Sequence, residues 1–341
     1  MRICFFSSLD NNIGDDFIRE GLVNLLNKAG IEFDASIVDK HSRSSLIDQH
    51  GRNKILTSDY TVICGTPVFW SINGSTSYNC DWYDWFYQDY IFKGKKNIFV
   101  LAAGSCNRLY EDVNYLCQND IKFKNFVKLL CEKSLLVTTR DYVCSNILNN
   151  FQISHDNLFC TAFHAIDTMK NDGNNFFIGF NLMESFGHFN VFPMFLEKAN
   201  EMIKVIRKFG PIKFICHSSN EVEIANKFHE GDDRIFYEEN FKNYYSAFDD
   251  VRFHVSCRVH GSILSSSAGV PNVNIITDTR GLSCDRISSF LFNPLHESHE
   301  DLNSMLSYIS DNLNIIKSDL RFLKKYNEQE YVKALKRFFC N

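Results

Sequence analysis

The sequence predicts an α/β protein made of two doubly wound, Rossmann-like domains. Three observations carry that expectation. Short apolar runs alternate with amphipathic stretches along most of the chain. A polar break near the middle, "KNDGNN" at 170–175, is followed by a second round of the same alternation. The length, 341 residues, suffices for two domains of ordinary size, each with its own core.

The elements follow in order. "RICFFSS" (2–8) reads as a buried strand, and "DDFIREGLVNLLNKAG" (15–30) as a helix. In that helix Phe17, Ile18, Gly21, Leu22, Leu25 and Leu26 share one face. Further strands are expected at 32–39, 60–65, 97–105 and 134–141, with a helix at 123–134. After the break, strands are expected at 176–181, 211–219, 234–239, 251–257 and 270–276, with a long helix at 192–210. The tail from about 299 to 338 has a helical pattern. The predicted domains are therefore 1–170, the acceptor side, and 171–341, the donor side, with the C-terminal helices packing back. Two such domains facing a central cleft, with the carboxyl ends of both sheets toward it, form the arrangement called GT-B.

Composition excludes several functions. Hydrophobic residues make up 45% and charged residues 23%, the balance of a soluble globular protein. A net charge of −5 speaks against nucleic acid as a partner, since a protein that follows a polyanion carries a basic face. The twelve cysteines are spread with no C-x-x-C pair, which predicts reduced thiols, a cytoplasmic setting and no metal site. "MRICFFSS" is too short an apolar run for a secretion signal, and no stretch reaches the length of a spanning helix.

Four stretches could carry chemistry. In "VSCRVHGSILSSSAGVPNVNII" (255–276) a strand ends near Cys257 and a short helix runs from about His260 to Gly269. The amino end of that helix offers free N–H groups to an anion, Arg258 adds a planar fork, and His260 can move a proton near neutral pH. The competing interpretation is an Arg paired with a neighbouring carboxylate and a His capping a helix. Ser262 belongs to the same helix, and His217 ends the strand "KFIC", as His164 ends another. In "VTTRDYVCSNIL" (137–148) Arg140 repeats the strand-end design, either as the second half of a two-arginine clamp or as a surface pair with Asp141. In "SSLDNNIGDDF" (7–17) Asn12, Gly14 and Asp15 form either a ligand-facing turn or a plain helix cap, and no dinucleotide or P-loop pattern is present. Finally, Trp70, Trp82 and Trp85 lie within sixteen residues, as a sugar-stacking surface or as a packed core.

In their order, these pieces resemble the polysaccharide pyruvyltransferase family. Asn12-Ile13-Gly14-Asp15 looks like its N-x-G-D turn, and Thr139-Arg140-Asp141 with Ser145 like its T-R-[DE]-x-x-S element. Ser256-Cys257-Arg258-Val259-His260 looks like its S-x-R-x-H element, and Gly269-Val270-Pro271 like the G-x-P that follows. The resemblance implies a GT-B-like fold and transfer of pyruvate from phosphoenolpyruvate to a sugar of a surface polysaccharide or its precursor, as a cyclic ketal. It implies that Arg140 and Arg258 bind the carboxylate and phosphate of that donor, and that His260 binds the donor or acts as acid. Arg258, His260 and Asp15 are thus the candidate catalytic residues, and Arg140, Arg258, His260, Arg280, Ser262 and His217 the candidate donor site. Asn12, Gly14, Trp70, Trp82 and Trp85 are the candidate acceptor site. No cofactor or metal beyond the donor substrate is expected. A lipid-linked acceptor would hold the enzyme peripherally at the inner face of the membrane.

Two departures stand out. Gly65-Thr66-Pro67 replaces a glycine triplet after the third strand, and Arg280 in "TDTRG" stands where many members carry lysine. A nucleotide-sugar glycosyltransferase of the same fold is the alternative activity, and a non-catalytic subunit of the same pathway a third reading.

Overall fold

The computed structural model describes residues 1–7, 13–39, 54–65, 67–70, 97–110, 112–167, 175–183 and 193–339. Two compact units divide the chain: Met1–Thr161 together with Asn327–Asn341, and Ala162–Tyr326. The division thus falls about nine residues before the polar break, and the C-terminal tail is shared between the units.

The first unit contains β1 (Arg2–Ser7), α1 (Ile13–Lys28), β2 (Asp34–Asp39), β3 (Tyr60–Cys64), β4 (Pro67–Trp70) and β5 (Ile98–Cys106). Then come α2 (Val113–Asn119), α3 (Ile121–Glu132), β6 (Ser134–Thr139), α4 (Tyr142–Asn150) and β7 (Asp156–Asn157). Its parallel sheet runs β2-β1-β3-β5-β6-β7, with β4 joined to β5. The order reverses between β1 and β3, which makes a topological switch point at their carboxyl ends. β5, in the middle, is buried at all nine positions, so it reads as a continuous apolar run rather than an alternating one.

The second unit contains β8 (Phe177–Asn181), α5 (Pro193–Arg207), β9 (Ile212–Cys216), α6 (Ser219–Phe228), β10 (Arg234–Tyr237) and β11 (Val251–Ser256). It continues with α7 (Val259–Ser267), β12 (Asn272–Ile275), β13 (Phe290–Phe292), α8 (His299–Asp311) and the first half of α9 (Leu313–Phe339). This parallel sheet runs β10-β9-β8-β11-β12-β13, with its switch point between β8 and β11. Phe180, Phe214 and Val255 of the sheet share one core with Ile203 and Ile206 of α5 and Leu302 and Leu306 of α8. α8 starts on a full capping box, with Ser298 and Asp301 satisfying each other's backbone N–H.

α9 serves both units. Lys324 is buried and donates to the carbonyl of Ser267 at 2.8 Å and to that of Ile166, placing an ammonium at the carboxyl end of α7. Further on, Tyr331 donates to the Phe159 carbonyl at 2.6 Å and Phe339 stacks on Phe99 at 4.7 Å, both within the first unit. One helix is thus divided between the two units.

Burial also makes the second unit pH-sensitive. His254 on β11 is wholly buried, which lowers its pKa to about 3, with a contact to the Gly261 backbone pulling weakly the other way. His217 is held well below the ordinary imidazole range by burial first, and then by the charges of Arg258, His260 and His254. Both stay neutral in the fold and protonate once unfolded, so the unfolded state binds more protons below about pH 6.5. Stability is therefore full above that pH and is lost as pH falls toward 3 for His254, by about 1.4 kcal/mol per pH unit for each histidine. Urea midpoints at pH 7 and pH 5 check this, and equal midpoints would contradict it.

Candidate functional site

The carboxyl ends of β8, β9 and β11 surround the switch point of the second sheet. β11 ends in Ser256, whose hydroxyl accepts from the Arg258 N–H at 3.1 Å and donates to the Arg258 carbonyl at 2.9 Å. This tight turn sets Arg258 in extended conformation, φ −95° and ψ 124°, as the residue before α7. The helix therefore starts at Val259, and its first N–H groups have no side-chain cap. At its other end Gly269 has φ +79°, with Gly269 N–H bonded to Ser266 O and Val270 N–H to Ser265 O, a Schellman-type stop.

Arg258 is 34% exposed and paired with Glu221 of α6, which is 1% exposed. Its Nε donates to Oε1 at 2.7 Å, and Nη2 lies 2.5 Å from the same oxygen. The other oxygen of Glu221 accepts from the His217 N–H at 2.7 Å and from Asn181 Nδ2 at 3.0 Å. His217 sits edge-on to Tyr244, ring centroids 5.0 Å apart. Gly261 closes the cluster: a Cβ there would lie 2.5 Å from Ser256 Oγ and 3.3 Å from His217 Nε2. His260, the second residue of α7, is half-buried and near enough for its charge to depress His217. The structure thus brings Arg258, His260 and His217 together and adds Glu221, Asn181 and Tyr244.

Two expected donor residues sit differently. Ser262 is fully buried, and its hydroxyl donates to Asn274 Oδ1 at 2.9 Å. That bond lies within the unit, because α7 is enclosed there and its serines bond to neighbouring side chains or backbone carbonyls. Arg280, in a short 3-10 turn, forms a fork with the buried Asp278 of its own turn, at 2.7 to 3.1 Å.

In the first unit, Arg140 follows β6 and is buried, 3% exposed. The surface pair with Asp141 is therefore ruled out. Nη1 donates to the Gly65 carbonyl at 2.7 Å, at the end of β3, and contacts Cys160 Sγ at 3.4 Å. Asp141 does other work: it accepts from Cys144 N–H at 2.8 Å as the cap of α4, and from Ser105 N–H and hydroxyl at 2.8 and 3.0 Å. Thr139 and Ser145 share a hydrogen bond of 2.7 Å, so the Thr-Arg-Asp…Ser stretch is knit together around the strand end. Gly14 and Asp15 are buried in the first turn of α1, beyond the carboxyl end of β1. Asn12, Trp82 and Trp85 lie outside the described residues, as does the side chain of Trp70. His164, expected at a strand end, lies buried in a 3-10 turn instead.

Glu221 could have been found in the sequence. "HSSNE" holds Ser218 and Glu221 at the spacing of a capping box, a signal for a carboxylate near a strand end. The structure turns that carboxylate back to His217 and across to Arg258.

A family profile described as polysaccharide pyruvyl transferase matches residues 12–279. The chain belongs to the polysaccharide pyruvyl transferase family. It is accordingly a transferase of polysaccharide modification. No curated protein matches the chain. Among solved structures it is similar to a putative UDP-N-acetylglucosamine 2-epimerase from Listeria monocytogenes, with 11% identity, TM-score 0.60, and 99% of this chain and 96% of that chain covered. It is also similar to UDP-GlcNAc 2-epimerase from Neisseria meningitidis bound to UDP-GlcNAc, at 9% identity, TM-score 0.57 and 99% coverage of both chains. The S. aureus MnaA–UDP co-structure follows at 12% identity and TM-score 0.56, with 99% and 96% covered. At these identities the likeness concerns the fold, and this pyruvyl transferase family member is GT-B-like with two parallel-sheet α/β domains. Among its described residues no helix is long and apolar enough to cross a membrane.

Proposed function

We propose that the chain transfers the pyruvyl group of phosphoenolpyruvate to two hydroxyls of a sugar in a surface polysaccharide or its precursor. The observation that carries this reading is Arg258 at the amino end of α7. Two of its nitrogens are fixed by Glu221, and its Nη1 has no partner among the described residues. An arginine edge beside uncapped helix N–H groups, at a sheet switch point, suits a phosphate or carboxylate. His260 stands two residues further on, suited to the proton transfer that the reaction requires.

The reaction balances without an outside reagent. A proton added to the methylene carbon of phosphoenolpyruvate makes C2 electrophilic, and the first sugar hydroxyl bonds to it. The C2–O bond to phosphorus then breaks, inorganic phosphate leaves, and the second hydroxyl closes the ketal. Of the two hydroxyl protons, one replaces that delivered to the methyl group and one leaves with phosphate. In this reading His260 carries the proton to carbon and Arg258 holds an anionic group of the donor. Arg280 and His217 border the donor, whereas Gly14, Asn12 and the tryptophans are assigned to the acceptor. A lipid-linked acceptor would bring the chain to the inner membrane face.

Phosphate release from phosphoenolpyruvate by the purified chain tests the reading, with galactose-, mannose- and N-acetylhexosamine-terminated acceptors. Acceptor-dependent release is expected. If phosphoenolpyruvate neither binds nor turns over while UDP-sugars raise the melting temperature, nucleotide-sugar transfer replaces it.

A further inference from the structure

Glu221 is 1% exposed, yet it joins groups from three separate strand ends. One oxygen takes Arg258 Nε and Nη2, beyond β11; the other takes the His217 N–H, beyond β9, and Asn181 Nδ2, the last residue of β8. A glutamate three residues after a helix cap would ordinarily serve that cap. Here Ser218 makes no side-chain cap bond, and Glu221 reaches past it to the switch point. A carboxylate buried this deeply is costly unless charge and hydrogen bonds compensate, and it receives both.

The effect on Arg258 is specific. Its side chain is one-third exposed and would otherwise move among many rotamers. Gripped on one side by a buried anion, it keeps an Nη1 edge that has no partner among the described residues, and its ordering takes place on folding instead of on donor binding. We propose that Glu221 is a positioning residue that fixes Arg258 and thereby presents the open guanidinium edge to an anionic group of the donor. The proposal rests on the phosphoenolpyruvate reading for the identity of that donor.

Its test combines kinetics with a measurement that needs no donor. Glu221→Gln keeps the shape and removes the charge. It is expected to raise KM for phosphoenolpyruvate between about ten- and a hundredfold, with kcat within about threefold and the acceptor KM unchanged. In an Arg258→Ala background the same change should add nothing to the donor defect, because the group it positions is gone. Additive losses, or an unchanged donor KM, would overturn the proposal. Independently, the Arg258 Nε–H signal in 15N NMR, assigned by its absence from Arg258→Ala, should exchange slowly in the native chain and rapidly in Glu221→Gln. An unaltered signal overturns the positioning role even if phosphoenolpyruvate proves not to be the donor. Should Glu221→Gln fail to fold, Glu221→Asp, which withdraws the carboxylate by one methylene, is measured in the same way.

Discussion

Arg258→Ala is expected to lower kcat/KM for phosphoenolpyruvate by about a thousandfold, some 4 kcal/mol of transition-state stabilisation. Two losses combine in that figure. The donor loses its guanidinium contact, and Glu221, 1% exposed, loses the cation that compensates its burial. Arg258→Lys separates them. It keeps a positive charge, but a single ammonium cannot occupy the two positions now taken by Nε and Nη2 and still offer a third nitrogen outward. The lysine variant should therefore fold better than the alanine variant and still fall well short of the native rate. Steady-state phosphate release over a range of phosphoenolpyruvate reads both. A native rate for Arg258→Lys would mean that charge alone matters and that the fork geometry does not.

Much of this was legible in the sequence because it depends on local pattern. The buried strands are apolar runs, the helices have a 3.6-residue face, and the alternation of the two dictates parallel sheets. Strand-end arginines could be located for the same reason, since Arg140 and Arg258 each follow a strand and precede a helix. Strands β4, β7 and β13 were not legible, at four, two and three residues, because so short a run carries no period. Partners were the other failure. Glu221 meets Arg258 across 37 positions, and Arg140 meets the Gly65 carbonyl across 75. Such pairings are decided by which strand ends adjoin in the sheet, which no window of neighbouring residues contains. Ser262 illustrates the converse: its place on an anion-facing helix suggested a ligand contact, while enclosure of that helix gave its hydroxyl to Asn274.

The departure at Gly65-Thr66-Pro67 also takes on a physical meaning. Gly65 has φ +43°, and a Cβ there would lie 2.5 Å from Ile18 Cγ2, so the glycine lets the end of β3 turn against α1 and aim its carbonyl at Arg140. What a triplet of glycines would offer by freedom alone, this chain retains at a position whose carbonyl takes the arginine.

Gly104→Ala carries the largest expected effect on the first unit. The guanidinium of Arg140 lies against β5 at Gly104, where a Cβ would stand 2.5 Å from Nε, 2.7 Å from Nη2 and 2.9 Å from Cζ. A long side chain usually yields to a new methyl group by swinging into solvent, but Arg140 is only 3% exposed and is held by Gly65 O and Cys160. Displacing it leaves a buried charge without its hydrogen bond, so a destabilisation of about 3 kcal/mol is expected. The cause can be isolated with Arg140→Leu, which removes the guanidinium. If the clash is the cause, Gly104→Ala should cost far less in that background than in the native chain, and the two changes should be strongly non-additive in urea unfolding. Equal costs in both backgrounds would place the damage in the β5 backbone instead. A shift of less than about 0.5 kcal/mol in the native chain would show that Arg140 can leave its slot, and would argue against a rigid donor grip from this arginine.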